Sequence, residues 1–450
     1  MITTPVDGLS LNIPDTRKPR VVILGAGFGG LNVAQTLHNK DFQVVLMDKR
    51  NYHTFQPLLY QVATAGLQPD AIAGPLRNVF ERKKDFHFRL LRALSINPDD
   101  NTISTIAGDL KYDYLIVAAG MRTNFFGNEE IQKYSLPLKS IPDALNFRSH
   151  LMQLMEWATM TDDSEKREKL MTIVVGGGGP TGVEMAGALS ELRKYVLPKD
   201  YPSLDFSKMK IYLIEGADRV LPPMSQKSST RAKRDLEKMG IILKLSALVD
   251  SYDGKTVILK SGEIIDTYTL IWSAGVMAEP LPGLKKEWIE RGRILTDEYC
   301  KVKGSNNIYA IGDIALMKTP EYPKGHPGVA QPAIQMGKYV GKNLAKFYKG
   351  DTSVKPFKYF DKGSLATIGR GKAVADLPRN ISFGGRPAWW IWLFVHISFL
   401  ISFRNKLLVF INWIWNYFTY DKGNRLIIRP YIRKGDAVSQ EIFAVEEVEK

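Results

Sequence analysis

The sequence has very few metal-ligating or redox-active side chains. It contains one cysteine, Cys300, and six histidines among 450 residues. A single thiol excludes a disulfide framework, dithiol chemistry and a cysteine-ligated iron–sulfur cluster. The histidines show no paired spacing, so no metal site is predicted. The single cysteine fits a reducing compartment.

The sequence also lacks a targeting segment and an uninterrupted run of apolar residues long enough to span a membrane. The stretch 1–20 has no apolar run of signal-peptide length and few basic residues, so residues 1–18 are predicted to be a flexible leader. The one long apolar stretch, 389–418, is interrupted by Arg404 and Lys406.

Acidic residues are fewer than basic ones, which gives a net charge of +14 and a pI of about 9.4. Nucleic acid and anionic lipid are the two usual partners of such a charge. The composition, 44% hydrophobic and 24% charged, is that of a globular protein with room for two or three domains.

Two glycine-rich turns repeat one plan. In the segment 19–37 a short apolar run is followed by Gly25, Gly27 and Gly30 and then by a helical pattern. Such a turn lets a backbone approach a pyrophosphate at a helix N-terminus. The segment 172–192 repeats the plan with Gly177, Gly179 and Gly182.

Each copy also ends its next apolar strand in an acid, Asp48 in the first and Glu215 in the second. A carboxylate there can accept hydrogen bonds from ribose hydroxyls and would repel a 2′-phosphate. The strands at 112–120 and 267–275 both end in Ala-Gly. The sequence therefore predicts two dinucleotide-binding domains, which together favour flavin plus nicotinamide. Asp313, after the apolar run at 307–311, is interpreted as a ligand of the flavin ribityl chain.

From about residue 20 to residue 429 the chain resembles the type II NADH:quinone oxidoreductases of the two-dinucleotide-binding-domain flavoproteins. The resemblance rests on the two glycine loops and on the motifs NYHTFQPLLYQVATAG, AAGMRTNFFG, YAIGD and AQPAIQMG. It implies FAD on the first loop, NADH on the second, and an α/β fold arranged as in glutathione reductase. One departure is Met336, where relatives often carry Gln.

Three residues are predicted to be catalytic by this resemblance. Gln331 and Gln335 lie four residues apart, so they project from one helix face toward a quinone or the flavin. Glu184 is expected near the flavin, where it handles protons and positions nicotinamide. From the residues alone, a solvated helix face for the glutamines and compensation of a helix dipole by Glu184 remain open.

The predicted sites comprise two sets of residues and no metal. The FAD site is predicted from Gly25, Gly27, Phe28, Gly29, Gly30, Asp48, Lys49, Gly120, Asp313 and Gln331. The NADH site is predicted from Gly177, Gly179, Pro180, Thr181, Gly182, Glu184, Glu215 and Gly275.

The predicted domains follow from these motifs. They are a leader at 1–18, an FAD-binding domain at 19–165 and 291–350, an NADH-binding domain at 166–290, and a C-terminal membrane-anchoring region at 351–450 with helices near 388–418.

The stretch 389–418 is predicted to lie in one leaflet. As one helix it would be about 45 Å long, with two cations near the bilayer midplane, whereas the halves on either side of residues 404–406 are each too short to cross. Its tryptophans favour the interface. Nearby basic residues were expected to meet anionic headgroups: Arg379, Arg386, Lys422, Arg425 and Arg429. A packed core helix pair is the alternative.

The predicted function is FAD-dependent oxidation of NADH with two-electron reduction of a membrane quinone, without proton pumping. We expect a peripheral, monotopic protein on the cytoplasmic face of a bacterial inner membrane, bound to anionic lipid and not to nucleic acid; a homodimer is left open. The alternatives are a soluble NADH-dependent flavin or ferredoxin reductase and an NADH-sensing flavoprotein scaffold without turnover.

Overall fold

The structure, a computed structural model, describes residues 6–37, 41–81, 83–419 and 422–433. Parts of the predicted leader (1–5) and of the predicted anchoring region (420–421 and 434–450) lie outside the described residues. The chain divides into two compact units. The first unit comprises Met1–His53, Gly74–Arg122 and Val276–Lys362, and the second comprises Thr54–Ala73, Thr123–Gly275 and Gly363–Lys450.

The first unit is built on a five-stranded parallel sheet. Its strands are nearly continuous apolar runs, as expected of a parallel sheet that is covered on both faces. Their spatial order is Ile308–Ala310, Tyr114–Val117, Arg20–Leu24, Gln43–Asp48 and Phe86–Leu90.

Smaller elements complete the first unit. A three-stranded antiparallel sheet comprises Ala93–Asn97, Thr102–Thr105 and Gly108–Lys111. A second small sheet comprises Ile289–Glu290, Arg293–Thr296 and Ala315–Met317. Short strands occur at Tyr52–Thr54, Ala73–Pro75, Met121–Thr123 and Val276–Ala278. The helices are Phe28–Thr36, Leu76–Val79 and Ala330–Tyr348.

Part of the predicted flexible leader packs on this unit. Leu11 is buried in the unit's hydrophobic core. The Arg89 guanidinium donates hydrogen bonds to the carbonyl oxygens of Leu11 and Asn12. These contacts give the segment before the first strand a defined position.

The second unit repeats the plan of the first. Its parallel sheet has the order Leu136–Pro137, Thr269–Trp272, Ile173–Gly176, Ile211–Ile214 and Ile242–Lys244. In both units the strand before the glycine loop is central, with the strand before the acid on one side and the strand that leads to Ala-Gly on the other. The predicted duplication is therefore present in the sheet topology.

Several helices and a small sheet surround this second sheet. The helices are Leu59–Ala63, Glu129–Tyr134, Ile141–Met160, Ser164–Leu170, Pro180–Tyr195, Leu197–Asp200 and Gln226–Lys238. The small antiparallel sheet comprises Val249–Tyr252, Thr256–Leu259 and Ile264–Asp266.

A C-terminal sheet packs on the helix Pro180–Tyr195, which we name the Glu184 helix. Its antiparallel strands are Ser364–Gly369, Lys372–Leu377 and Ile381–Gly384. A Cβ at Gly187 of the Glu184 helix would collide with the carbonyl oxygen of Ile368, so the close approach requires glycine there.

Two helices follow this sheet: the first anchor helix, Arg386–Phe399, and the second anchor helix, Phe403–Thr419. The chain breaks at 400–402 instead of the predicted 404–406. Ser402 explains the difference, because its hydroxyl accepts a hydrogen bond from the backbone N–H of Asn405, at 3.1 Å, as in a helix N-cap. Arg404 and Lys406 therefore lie in the first turn of the second anchor helix.

Two basic residues after the second anchor helix lie close to other groups of the protein. Arg425 forms an ion pair with Asp200, with 2.5 Å between Nε and Oδ2. Burial lowers the pKa of the Lys422 amine. The Arg425 guanidinium is therefore engaged by the protein, and contact of these two side chains with lipid headgroups stays a prediction.

Candidate active site

The first glycine loop has the backbone geometry of a phosphate-binding turn. Gly25 has a φ of +102°, and a Cβ at Gly25 or Gly30 would collide with a backbone carbonyl oxygen. A Cβ at Gly27 would meet no protein atom within 4 Å, so packing within the protein does not explain that glycine. Open backbone at this place is what a phosphate lying against the start of the helix Phe28–Thr36 would require.

The Asp48 carboxylate is fixed beside this loop. It accepts hydrogen bonds from the backbone N–H of Ala26, at 2.7 Å, and of Arg50, at 2.8 Å. A carboxylate accepts about four hydrogen bonds, so it has lone pairs left for ribose hydroxyls. Lys49 is exposed next to it.

A buried histidine supports the loop from its other side. The His53 Nδ1 lies 2.7 Å from the Ala26 carbonyl oxygen, and its ring meets the Phe28 ring edge-on at 5.1 Å. Burial lowers the pKa of His53. This neutral, buried ring has a structural role in holding the loop.

The remaining predicted FAD residues lie on neighbouring turns of the same unit. Asp313 lies in the turn Gly312–Ile314, which directly follows the strand Ile308–Ala310. Gly120 has a φ of +68°, and a Cβ there would meet no protein atom within 4 Å. Gly29 has a packing reason instead, because a Cβ there would lie 3.1 Å from the Ile311 side chain, and a Cβ at Gly337 would in turn collide with the Gly29 carbonyl oxygen where the helices Phe28–Thr36 and Ala330–Tyr348 cross.

The amides of the predicted glutamine pair bind the backbone of one nearby segment. Gln335 donates to the Phe360 carbonyl oxygen at 2.8 Å and accepts from the Phe360 N–H at 2.9 Å. Gln331 accepts from the Lys362 N–H at 3.1 Å. Both side chains therefore fix the segment 360–362, and this is a structural role that the sequence did not reveal.

The second glycine loop repeats the geometry of the first. Gly177 has a φ of +104°, and a Cβ at Gly182 would collide with its carbonyl oxygen. A Cβ at Gly179 would meet no protein atom within 4 Å. Pro180 is the first residue of the Glu184 helix, where its missing N–H leaves no hydrogen bond unmade, and Thr181 is exposed beside it.

Glu215 occupies the place that Asp48 has in the first unit. It accepts from the backbone N–H of Gly178, at 2.5 Å, and of Ala217, at 2.8 Å. In each unit the acid thus binds the residue after the first loop glycine and the residue two positions beyond itself. Gly178 was missed by the sequence reasoning; a Cβ there would lie 2.9 Å from the Glu215 Cβ. The run of four glycines at 176–179 was the available signal.

Gly275 follows the strand Thr269–Trp272 in the second unit. Its carbonyl oxygen accepts from the Asn124 N–H at 3.0 Å, and a Cβ there would lie 3.0 Å from the Phe126 ring. The residues predicted for NADH thus lie on one unit, and all but Glu184 lie near the carboxyl edge of its parallel sheet, where dinucleotides bind; the Glu184 carboxyl instead meets Thr367 of the C-terminal sheet.

Glu184 is a buried carboxyl with a strongly altered acidity. Only 7% of the residue is exposed. Burial raises its pKa from 4.5 to about 8, and the Thr367 N–H, which donates to it at 3.4 Å, opposes that rise. The Trp392 indole N–H also favours the ionised form, although it does not reach hydrogen-bond geometry. At neutral pH this carboxyl therefore keeps its proton.

Glu184 lines a pocket of the second unit. We name this pocket the aromatic pocket. The anchor helices supply most of its apolar wall, and the Glu184 helix supplies its carboxyls. The lining residues include Tyr60, Gln61, Glu184, Glu191, Arg370, Trp389, Trp392, Trp413, Tyr417 and Lys422. Of these, the sequence reasoning found only Glu184, because the others come together only in the folded chain.

Comparisons with known proteins give this geometry a family. Residues 19–337 match the family model described as pyridine nucleotide-disulphide oxidoreductase, and residues 362–420 match the NDH2 C-terminal domain. Two curated relatives from Mycobacterium tuberculosis are named type II NADH:quinone oxidoreductases: Ndh, 36% identical over 91% of this chain and 90% of its own, and NdhA, 38% identical over 92% and 90%.

The chain belongs to the type II NADH:quinone oxidoreductase family.

A solved structure of the family supports the same fold. NDH2 from Plasmodium falciparum, determined in complex with NADH, is similar with a TM-score of 0.84 and 26% identity, over 92% of this chain and all of that one. The predicted family, α/β fold class and oxidoreductase class are confirmed. The larger family model is named for disulphide chemistry, but Cys300 is this chain's one cysteine and is buried, so no dithiol can act here.

Proposed function

We propose that the protein oxidises NADH and reduces a quinone, with the quinone ring held in the aromatic pocket beside Glu184. As a member of its family it is an NADH:quinone oxidoreductase and a flavoprotein. FAD supplies hydride acceptance from NADH and two-electron transfer to the quinone. The observation that carries the pocket assignment is a proton-bearing buried carboxyl in a pocket walled by aromatic side chains.

The first unit has residues that fit FAD. The glycine loop leaves backbone at Gly27 open to a pyrophosphate, and the helix Phe28–Thr36 presents its N-terminus there. Asp48 is positioned to accept hydrogen bonds from ribose hydroxyls, and Asp313 to meet the polyol chain. Gln331 and Gln335 hold the segment 360–362 in place.

The second unit has residues that fit NADH. Its glycine loop would receive the pyrophosphate, and the Glu215 carboxylate, which the N–H groups of Gly178 and Ala217 hold in place, would accept hydrogen bonds from the ribose hydroxyls. A 2′-phosphate would place negative charge against this carboxylate. We therefore propose that the protein prefers NADH to NADPH.

Glu184 handles a proton at the quinone. Reduction to quinol adds two electrons and two protons, one to each carbonyl oxygen. With a pKa of about 8, the Glu184 carboxyl carries a proton at neutral pH that it can donate to one of these oxygens. The other hydrogen of the quinol derives from NADH, so the balance is NADH + H⁺ + quinone giving NAD⁺ + quinol, and water restores the Glu184 proton before the next turnover.

We propose that the anchor helices rest in one leaflet, so that the quinone enters the pocket from lipid. Among the described residues, no helix is both long enough and apolar enough to cross a bilayer. Large apolar side chains on the anchor helices are nevertheless exposed, namely Trp390, Phe394, Phe403 and Phe418, at 60–80%. Such side chains favour the interfacial region of a membrane.

We place this surface on the cytoplasmic face of a bacterial inner membrane, with basic side chains such as Arg379 and Arg386 near anionic headgroups. Vesicle flotation at rising salt tests the lipid contact. A protein that remains in solution with anionic vesicles would contradict it.

The catalytic proposal is tested by separating the two half-reactions. Purified protein that contains FAD is reduced by NADH in a stopped-flow instrument and then mixed with a quinone. Glu184→Gln should slow reoxidation by quinone and retain FAD. Glu237→Gln, which makes the same exchange at an exposed position of the helix Gln226–Lys238, is the matched control. Failure of quinone to reoxidise the wild-type flavin, with rapid reoxidation by ferredoxin, would favour the reductase alternative.

A further inference from the structure

A chain of hydrogen bonds runs from the second anchor helix to the wall of the aromatic pocket. The Trp413 Nε1 lies 2.7 Å from the Gln61 Oε1. The Gln61 Nε2 lies 2.8 Å from the Tyr60 hydroxyl oxygen. Tyr60 is buried, with 6% exposed, and it lines the pocket together with Glu184.

The chemistry of the three groups gives this chain one direction. An indole N–H can only donate, so the amide oxygen of Gln61 must face Trp413. The amide nitrogen of Gln61 then faces Tyr60, and since it too can only donate, the Tyr60 oxygen must accept. The tyrosine therefore cannot give its own proton to Gln61. No described residue accepts a hydrogen bond from that hydroxyl.

Two further side chains fix the end of the hydrogen-bond chain that lies on the second anchor helix. Asn416, one turn beyond Trp413, donates to the Gly66 carbonyl oxygen at 3.0 Å. Asn405, at the start of the same helix, donates to the Ala73 carbonyl oxygen at 2.9 Å. The polar face of the second anchor helix is thus fixed to the segment that carries Tyr60.

We propose that Tyr60 donates a hydrogen bond to a quinone carbonyl oxygen in the aromatic pocket, and that Trp413 and Gln61 are positioning residues that fix its direction. This inference rests on the proposed placement of the quinone. It makes Tyr60 and Glu184 two donors on the wall of one pocket, as a quinone with two carbonyl oxygens requires. In this arrangement Trp413, a residue of the second anchor helix, determines the orientation of the Tyr60 hydroxyl, which contacts the substrate.

The acidity of Tyr60 is consistent with a permanent donor. Burial raises its pKa well above 10, and the negative charge of an ionised Glu184 raises it further. The hydroxyl therefore keeps its proton throughout the physiological range, including the range in which Glu184 ionises. Tyr60 serves as a hydrogen-bond donor in this proposal and is not the source of the transferred proton.

Two conservative variants test the proposal. Tyr60→Phe removes the hydroxyl, and Trp413→Phe removes the N–H that sets the Gln61 amide. Without the Trp413 N–H, the Gln61 amide can turn so that its oxygen accepts a hydrogen bond from the Tyr60 hydroxyl. Trp415→Phe, the same exchange at a 59% exposed position on the same helix, is the control. The probe is menadione, which has no isoprenoid tail, added to NADH-reduced, FAD-containing protein in detergent.

We expect Tyr60→Phe to slow reoxidation by menadione about tenfold, the typical effect of one lost hydrogen bond to the reacting group. Reduction by NADH should be unchanged. Trp413→Phe should slow the same step. The double variant should be no slower than Tyr60→Phe, because the two changes remove the same hydrogen-bond donor, the Tyr60 hydroxyl. A purely structural role for Trp413 would give additive effects.

The remaining outcomes separate this inference from the proposed function. If Glu184→Gln is slow and Tyr60→Phe reacts like wild type, the inference is overturned and the pocket assignment stands. If neither variant is slow, both are overturned. Should Tyr60→Phe fail to bind FAD, Trp413→Phe decides alone: a menadione rate equal to that of the Trp415→Phe control overturns the inference.

Discussion

Exchanging Glu184 for glutamine should slow the enzyme and stabilise the fold at alkaline pH. Glutamine has the same shape and can still accept the Thr367 hydrogen bond, but it has no proton to donate and no charge to bury. Both effects follow from one property of the wild-type protein, the rise of the Glu184 pKa from 4.5 to about 8.

The activity of the wild type should depend on pH through this group. With a pKa of about 8, roughly nine-tenths of the carboxyls carry a proton at pH 7 and roughly one-tenth at pH 9. Reoxidation of the reduced flavin by quinone should therefore fall about tenfold between these values. In Glu184→Gln the step should be slow at both values, with no transition near pH 8.

The stability effect has the opposite sign. Because the folded state holds this proton more tightly than the unfolded state, folding is favoured below pH 4.5, and that advantage is lost as the pH rises to about 8. The full loss is roughly 5 kcal/mol, an upper figure for a pKa rise of this size. Glu184→Gln avoids the loss.

Stopped-flow reoxidation and thermal unfolding at pH 5 and pH 8 measure the two effects. The melting temperature of Glu184→Gln should exceed that of wild type at pH 8, with a smaller difference at pH 5, and Glu237→Gln should follow wild type throughout. A wild-type reoxidation rate that is constant from pH 7 to pH 9, or a variant that melts below wild type at pH 8, would refute the reasoning.

Three further variants test the other sites. Gly27→Val should yield colourless protein, because a branched side chain occupies the place of the pyrophosphate; flavin absorbance measures this, and full FAD content would contradict the first-loop assignment. Glu215→Gln should narrow the preference for NADH over NADPH, measured as the ratio of the two kcat/KM values. A wild-type protein that uses both cofactors equally well would contradict the role of Glu215. Replacing Phe394 and Phe403 by Ser should reduce flotation with vesicles while NADH-to-menadione activity remains; unchanged flotation would remove these side chains from the lipid contact.

The glutamine pair shows where sequence reasoning stopped. The four-residue spacing of Gln331 and Gln335 correctly implied a helix, Ala330–Tyr348, with both side chains on one face. It could not show that the backbone of residues 360–362 meets that face and engages both amides. The partner segment is more than twenty positions away in sequence, and no local pattern encodes such a contact.

The break between the anchor helices lies four residues before the predicted position and has a local cause. Arg404 and Lys406 were used to place the break because charges are costly in a bilayer. The structure places it before them, where Ser402 caps the second anchor helix through Asn405. Serine is a favoured N-cap residue, so the start of the second anchor helix has a local cause, which the cost of a charge in a bilayer does not describe.

The sequence by itself determined the two dinucleotide-binding domains. A glycine turn, its following helix and the acid at the end of the next strand are encoded within about thirty residues, so the duplication and the roles expected of Asp48 and Glu215 could be derived locally. The tertiary structure alone decided the aromatic pocket. The Tyr60 segment, the Glu184 helix and the anchor helices are separated by more than a hundred residues, and only folding buries Glu184 enough to raise its pKa and brings Trp413 to Gln61. Burial and long-range hydrogen bonds are properties of the packed chain, and the linear order of residues does not display them.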